Sequence, residues 1–155
     1  MSDFEFLSPD DKPALLALST PDLLAHSESV LQKLGYKIHT LADHSEFQTR
    51  YLQANYEIFI TEEAFAGAAT LAENETLVTL QNMPMNQRRH STTFLFGNSF
   101  QSLNPMQAFQ QSVHAVVNPS ELANFESVVQ KVHGENQTFL KTFNDVLTSM
   151  ASGDL

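Results

Sequence analysis

The chain has no cysteine, no tryptophan, five glycines and only eight lysines and arginines in 155 residues. Without cysteine there is no disulfide, no thiolate nucleophile and no thiolate metal site. Its few glycines form no Gly-x-Gly-x-x-Gly, Walker loop or Gly-x-Ser-x-Gly elbow, which removes the usual nucleotide and hydrolase signatures. Eighteen acidic side chains against eight basic ones give a formal charge of −10, and such a surface repels phosphate backbones. The one basic cluster, Arg88-Arg89-His90, is too small for a nucleic-acid footprint and reads as a solvated helix end. No apolar run approaches the roughly 20 residues that cross a bilayer. The amino terminus, MSDFEFLSPDD, lacks the basic-then-apolar order of a secretory signal. The expectation is a cytoplasmic protein with no nucleic-acid or membrane partner.

What is present is a 42% apolar chain, enough for one core at this length. Residues 1–13 hold Pro9, Asp10, Asp11 and Pro13 without periodicity and read as a tail or linker. From residue 14 short apolar runs alternate with helical patterns. Ala14-Leu15-Leu16-Ala17-Leu18 has the continuous apolar character of a strand buried on both faces. Ser19-Thr20-Pro21-Asp22 supplies a cap and an early helical proline, Leu23 to Leu34 carries helical spacing, and Gly35 ends it. The unit repeats, with strands expected at 36–41, 58–60, 92–96 and 113–117, and helices at 45–55, 74–84 and 105–111. The alanine-rich stretch 62–72 is ambiguous. A helical pattern from about residue 121 to 150 closes the chain. This alternation predicts a doubly wound, five-stranded parallel sheet in the flavodoxin-like order 2-1-3-4-5 with an extended C-terminal helix.

The motif positions add a resemblance. Leu18-Ser19-Thr20-Pro21-Asp22-Leu23-Leu24 leading to Leu34-Gly35-Tyr36, the exit Ala42-Asp43, the strand Tyr56-Glu57-Ile58-Phe59-Ile60-Thr61-Glu62 and the exit Val116-Val117-Asn118-Pro119 together resemble a CheY-like response-regulator receiver over residues 14–133. The resemblance implies a cleft where an acidic pair and an acceptor aspartate hold Mg²⁺, with a Thr or Ser and a Lys gripping the phosphoryl group. The acidic pair falls here on Leu18 and Ser19, and the acceptor on Glu62 (Thr61 with a one-residue slip). The hydroxyl position falls on Gly97 and the lysine position on Asn118. A degenerate receiver pocket follows, with no catalytic residue, cofactor or metal, and the chain is not expected to be an enzyme. Glu62 reaches one methylene further than aspartate and would imitate a phosphorylated acceptor; the alternative makes Glu62 and Glu63 solvated charges at a helix start.

Six histidines (26, 39, 44, 90, 114 and 133) lack metal-ligand spacing. His39 and His44 fall near the exit of strand two without a third ligand, and His114 reads as a core or sheet-edge residue. In the last helix Phe125, Val128, Val129 and Val132 form a stripe suited to the sheet. Past Gly134 the pattern resumes with Phe139, Leu140, Phe143, Val146, Leu147 and Met150. Residues 134–155 therefore read as a helical extension, and Phe125, Val132, Phe139 and Val146 recur every seven residues. The expected function is a bacterial, phosphorylation-independent protein-interaction module in signalling. Its expected docking or self-association residues are Met106, Phe109, Phe125, Phe139, Phe143, Val146 and Met150. The alternative is a sensor whose cleared pocket takes a small molecule.

Overall fold

The computed structural model describes residues 7–153, so residues 1–6 of the expected tail and the last two of the expected extension lie outside the described residues. Five parallel strands form one sheet: β1 (Pro13–Ala17), β2 (Lys37–Thr40), β3 (Ile58–Glu62), β4 (Thr92–Phe96) and β5 (Ala115–Val117). Their order is β2-β1-β3-β4-β5, as the alternation predicts. The helices are α1 (Pro21–Lys33), α2 (Phe47–Gln53), α3 (Glu75–Asn82), α4 (Met85–Arg88), α5 (Pro105–Gln111) and α6 (Phe125–Ser152). No helix among the described residues is long and apolar enough to cross a membrane.

Strand residues alternate between two cores. Ala14, Leu16, Ile58, Ile60, Phe94 and Phe96 face α1 and α6, while Leu15, Ala17 and Phe59 face Phe47 and Tyr51 of α2 and Leu80 of α3. Both faces are covered, so the strands read as unbroken apolar runs rather than as an alternation. Thr20 stands at the N-cap position of α1 without a side-chain bond to the helix, and Pro21 opens it, where its missing N–H costs nothing. Gly35, at φ +89°, lets the chain turn back so that the Tyr36 N–H reaches the Leu31 carbonyl.

Element limits depart from expectation in places. β1 begins at Pro13, inside the expected tail. β5 begins only at Ala115, because Ser112 adopts left-handed backbone and the Val113 N–H turns back to the Ala108 carbonyl. The ambiguous stretch contains two single 3₁₀ turns, Phe65–Gly67 and Leu71–Glu73.

Helix α6 runs unbroken through Gly134. Its first turns are core: Phe125 is fully buried, its ring 5.7 Å from that of Phe94 and 4.9 Å from that of Phe96. Phe125 therefore cannot belong to a docking face, which corrects the sequence expectation. A polar crossing point follows. Asn136 Nδ2 donates to Thr92 Oγ1 at 2.8 Å, His133 Nδ1 lies 2.8 Å from the same oxygen, and His133 Nε2 lies 3.4 Å from Glu57 Oε1. Beyond it the helix leaves the sheet.

Candidate functional site

In a doubly wound sheet, ligand chemistry belongs at the carboxyl ends of the strands, beside the point where strand order reverses. Here that point lies between β1 and β3, and a cleft of about 320 Å³ opens over β3 and β4. Thr20, Leu23, Glu62, Glu63, Gly97 and Asn98 are among its lining residues.

Two consecutive glutamates organise it. Glu62 is the last residue of β3 and is only 4% exposed. One carboxylate oxygen accepts from the Ser19 N–H (2.6 Å) and the Thr20 N–H (2.9 Å), and the other accepts from Thr20 Oγ1 (2.6 Å). These donors stand at the N-terminus of α1, whose partial positive charge also favours an anion. Glu63 turns the other way: Oε1 accepts from the Ser99 N–H (3.2 Å) and Oε2 from Ser99 Oγ (2.7 Å). Adjacent carboxylates thus tie β3 to the loop after β1 on one side and the loop after β4 on the other. No α-helix starts at this pair, and Glu62 is not solvated, so the reading of the two as solvated helix-start charges is corrected.

Leu18 is buried in the core shared by α1 and α6 and does not face the cleft. The Ser19 hydroxyl accepts from the Ala66 N–H at 2.8 Å, which holds the loop after β3 against the loop after β1. Thr61 is buried, its hydroxyl donating to the Ala17 carbonyl, so Glu62 rather than Thr61 reaches the cleft. Gly97 lies under Glu63, where an added Cβ would meet the glutamate side chain. Asn118 is spent on loop structure: Nδ2 donates to the Phe100 carbonyl (2.9 Å) and Oδ1 accepts from the Ser120 N–H (3.0 Å). The five pocket positions therefore gather at one end of the sheet, but only Glu62 and Gly97 line the cleft, while the Ser19 and Asn118 side chains are spent on bonds between its loops.

Sequence reasoning missed three participants. Thr20 belongs to the Ser19-Thr20-Pro21-Asp22 stretch expected to supply a cap, yet its hydroxyl serves Glu62 rather than the helix. Ser99 carries no motif. Asn74 is fully buried; its Nδ2 donates to the Glu62 carbonyl (2.8 Å), and its Oδ1 caps α3 through the Leu77 N–H. An Asn one residue ahead of an apolar helical pattern was the available signal.

The histidines are dispersed among structural bonds. His39 Nδ1 lies 2.7 Å from the Tyr56 hydroxyl, while His44 Nδ1 accepts from the Thr76 N–H and sits near its hydroxyl. His114 Nδ1 accepts from the Thr93 N–H at the start of the edge strand. Among the described residues no group of three His, Asp or Glu could hold a metal ion.

Met106 and Phe109 of α5 are 62% and 80% exposed. Phe109, Phe139 and Phe143 line a second groove, of about 700 Å³, between α4, α5 and the outer half of α6. Val146 and Met150 lie exposed further along α6.

No family model and no curated protein matches the chain. Solved structures do. A CheY-like receiver domain protein from Methanospirillum hungatei superposes with a TM-score of 0.62 at 11% identity, covering 83% of this chain and 98% of that one. A response regulator from Hahella chejuensis gives 0.57 at 16% identity, covering 81% and 95%. The receiver domain of a Pseudomonas aeruginosa sensor histidine kinase, crystallised with magnesium in its active-site cleft, gives 0.57 at 17% identity, covering 80% and 98%. The fold is that of a CheY-like receiver.

Proposed function

We propose that this chain is a non-catalytic, receiver-like module that acts in signalling by protein contact and independently of phosphorylation. The observation that carries the reading is the Glu62 carboxylate, buried and bound by the Ser19 and Thr20 donors. A hard cation such as Mg²⁺ wants an octahedral set of oxygen ligands. At this cleft the nearest carboxylates face N–H and O–H donors, Leu18 points into the core, and the Asn118 amide is engaged by the Phe100 carbonyl of the loop after β4. The residues present do not fit the ion. Glu62 instead acts as a built-in acceptor group that holds the β1 and β3 loops in one arrangement, where a transient phosphoryl group would otherwise switch them. Signalling output then depends on the exposed α5–α6 face rather than on chemistry in the cleft.

The test is an NMR titration with Mg²⁺ and a beryllofluoride phosphoryl analogue. The expected spectrum is unchanged at Ser19, Glu62, Gly97 and Asn118. Saturable shifts clustered at those residues would overturn the reading. A small-molecule sensor is the second reading, favoured by the open cleft whose further lining includes Ala68, Ala69 and Thr70. It predicts stabilisation by a metabolite in a thermal-shift screen, which the interaction reading does not.

A further inference from the structure

The buried and exposed halves of α6 are one continuous seam. Phe125, Val129, Val132, Asn136, Phe139, Phe143, Val146 and Met150 follow one another at alternating steps of four and three residues, the a/d spacing of a coiled coil. As far as Asn136 the seam is occupied by the protein's own sheet. The 16 residues from 137 to 152 then carry it roughly 24 Å further, with Phe139 59% and Met150 61% exposed and Leu147 widening the stripe. The groove beside it adds Phe109 and Met85.

We infer that this overhang pairs with the same segment of a second copy, giving a two-fold dimer in which the two α6 helices run antiparallel and each tip enters the other's groove. The inference rests on the reading of the α5–α6 face as the docking surface and names its occupant. Three observations select a second copy. The exposed seam is self-complementary by spacing: antiparallel pairing sets Phe139 against Met150 and Phe143 against Val146, large against smaller at each level. The area is of the right scale, since aromatic side chains such as Phe109, Phe139 and Phe143 each carry up to about 150–250 Å², Met85, Val146, Leu147 and Met150 add to them, and a stable interface buries ~800 Å² per partner. The charges also match. Arg89 sits over the Phe143 ring at 4.3 Å, on the groove side of a chain whose net charge is −10. In the antiparallel arrangement the acidic group it would meet on the second copy is Asp145, an exposed side chain whose other cation is Lys141 of its own helix, 3.7 Å away. That end of α6 has no basic residue in its last turn to offset the helix dipole. A parallel pair would instead set the two negative helix ends together and the two arginines together.

The experiment is sedimentation velocity on the full chain over a concentration series, with circular dichroism as a control for folding. The expected wild-type result is reversible association to twice the mass of one chain. V146E and M150E, both at exposed positions, should give folded monomers. R89E should weaken the dimer about tenfold, and adding D145R to it should restore association. A wild-type chain that stays monomeric throughout overturns the inference, as does a dimer that survives both V146E and M150E. These outcomes are independent of the phosphoryl titration: a monomer with a silent cleft defeats the dimer alone, and a V146E-sensitive dimer with a responsive cleft defeats the non-catalytic reading alone.

Discussion

At Gly97 an added Cβ would sit 1.9 Å from Glu63 Oε1 and 2.4 Å from its Cγ and Cδ. No other glycine in the described chain has a side chain so close, and the backbone there is ordinary, so the requirement is for space alone. In G97A the glutamate must swing out and release both Ser99 bonds. The expected cost is about 1–2 kcal/mol by chemical denaturation, between the net scale of an ordinary hydrogen bond and that of one to a charged group. In an E63A background the same alanine should cost under about 0.5 kcal/mol, because nothing remains to displace. Equal costs in the two backgrounds would show that Glu63 does not hold the place the geometry assigns it. That Gly97 stood at a position of interest was legible in the sequence through the resemblance. Why it is a glycine was not, because the reason is a side chain 34 residues away.

At the scale of elements, α6 carries most of what is particular to this chain. Its inner turns bury Phe125 and Val129, and truncating a buried phenylalanine typically costs 3–5 kcal/mol. Its outer turns bury little and depend on the intrinsic stability of the helix. Gly134 sits between the two parts in helical backbone with open space around its missing Cβ. G134A should therefore stabilise the protein by about 0.5–1 kcal/mol through helix propensity, seen as a higher denaturation midpoint with an unchanged slope. A loss of stability would mean that the helix bends at this residue. The seven-residue recurrence of this helix was visible in the sequence. The residue at which it leaves the sheet was not, because Asn136 is set by its partner Thr92 at the start of β4.

At the scale of the molecule, three histidines around the starts of the strands, His90 beside Tyr51, His114 beside Thr93 and His133 beside Glu57, connect stability to pH. Loss of solvent lowers the pKa of His90, and with the Arg88 charge adding to it pushes His114 down to about 4. His133 is also lowered, by desolvation against the opposing pull of Glu57. Each is thus held neutral in the folded protein and becomes charged near pH 6.5 once unfolded. The unfolded chain binds more protons below that point, so stability is complete above about pH 6.5 and declines as the pH falls toward 4. Melting temperature should fall across this window, and H114Q should flatten the decline. A profile that is level from pH 7 to 4.5 would contradict the imidazole environments described here.

The order of strands and helices, the start of α1 at Pro21 and its end at Gly35, and the two-sided burial of the sheet were all determined by the sequence itself. Each rests on local physics: apolar periodicity, fixed proline geometry and the conformational freedom of glycine act within a few residues. The positions at the strand ends were also legible, since the parallel topology brings residues 18, 62, 97 and 118 to one edge. Only the tertiary structure decided what those side chains do there. Glu62 and Glu63 are neighbours in sequence with the same chemistry, yet one is buried against α1 and the other bridges to Ser99. Glu62 ends β3 and Glu63 follows it with its side chain turned the other way, and the donors awaiting each carboxylate come from loops distant in the chain.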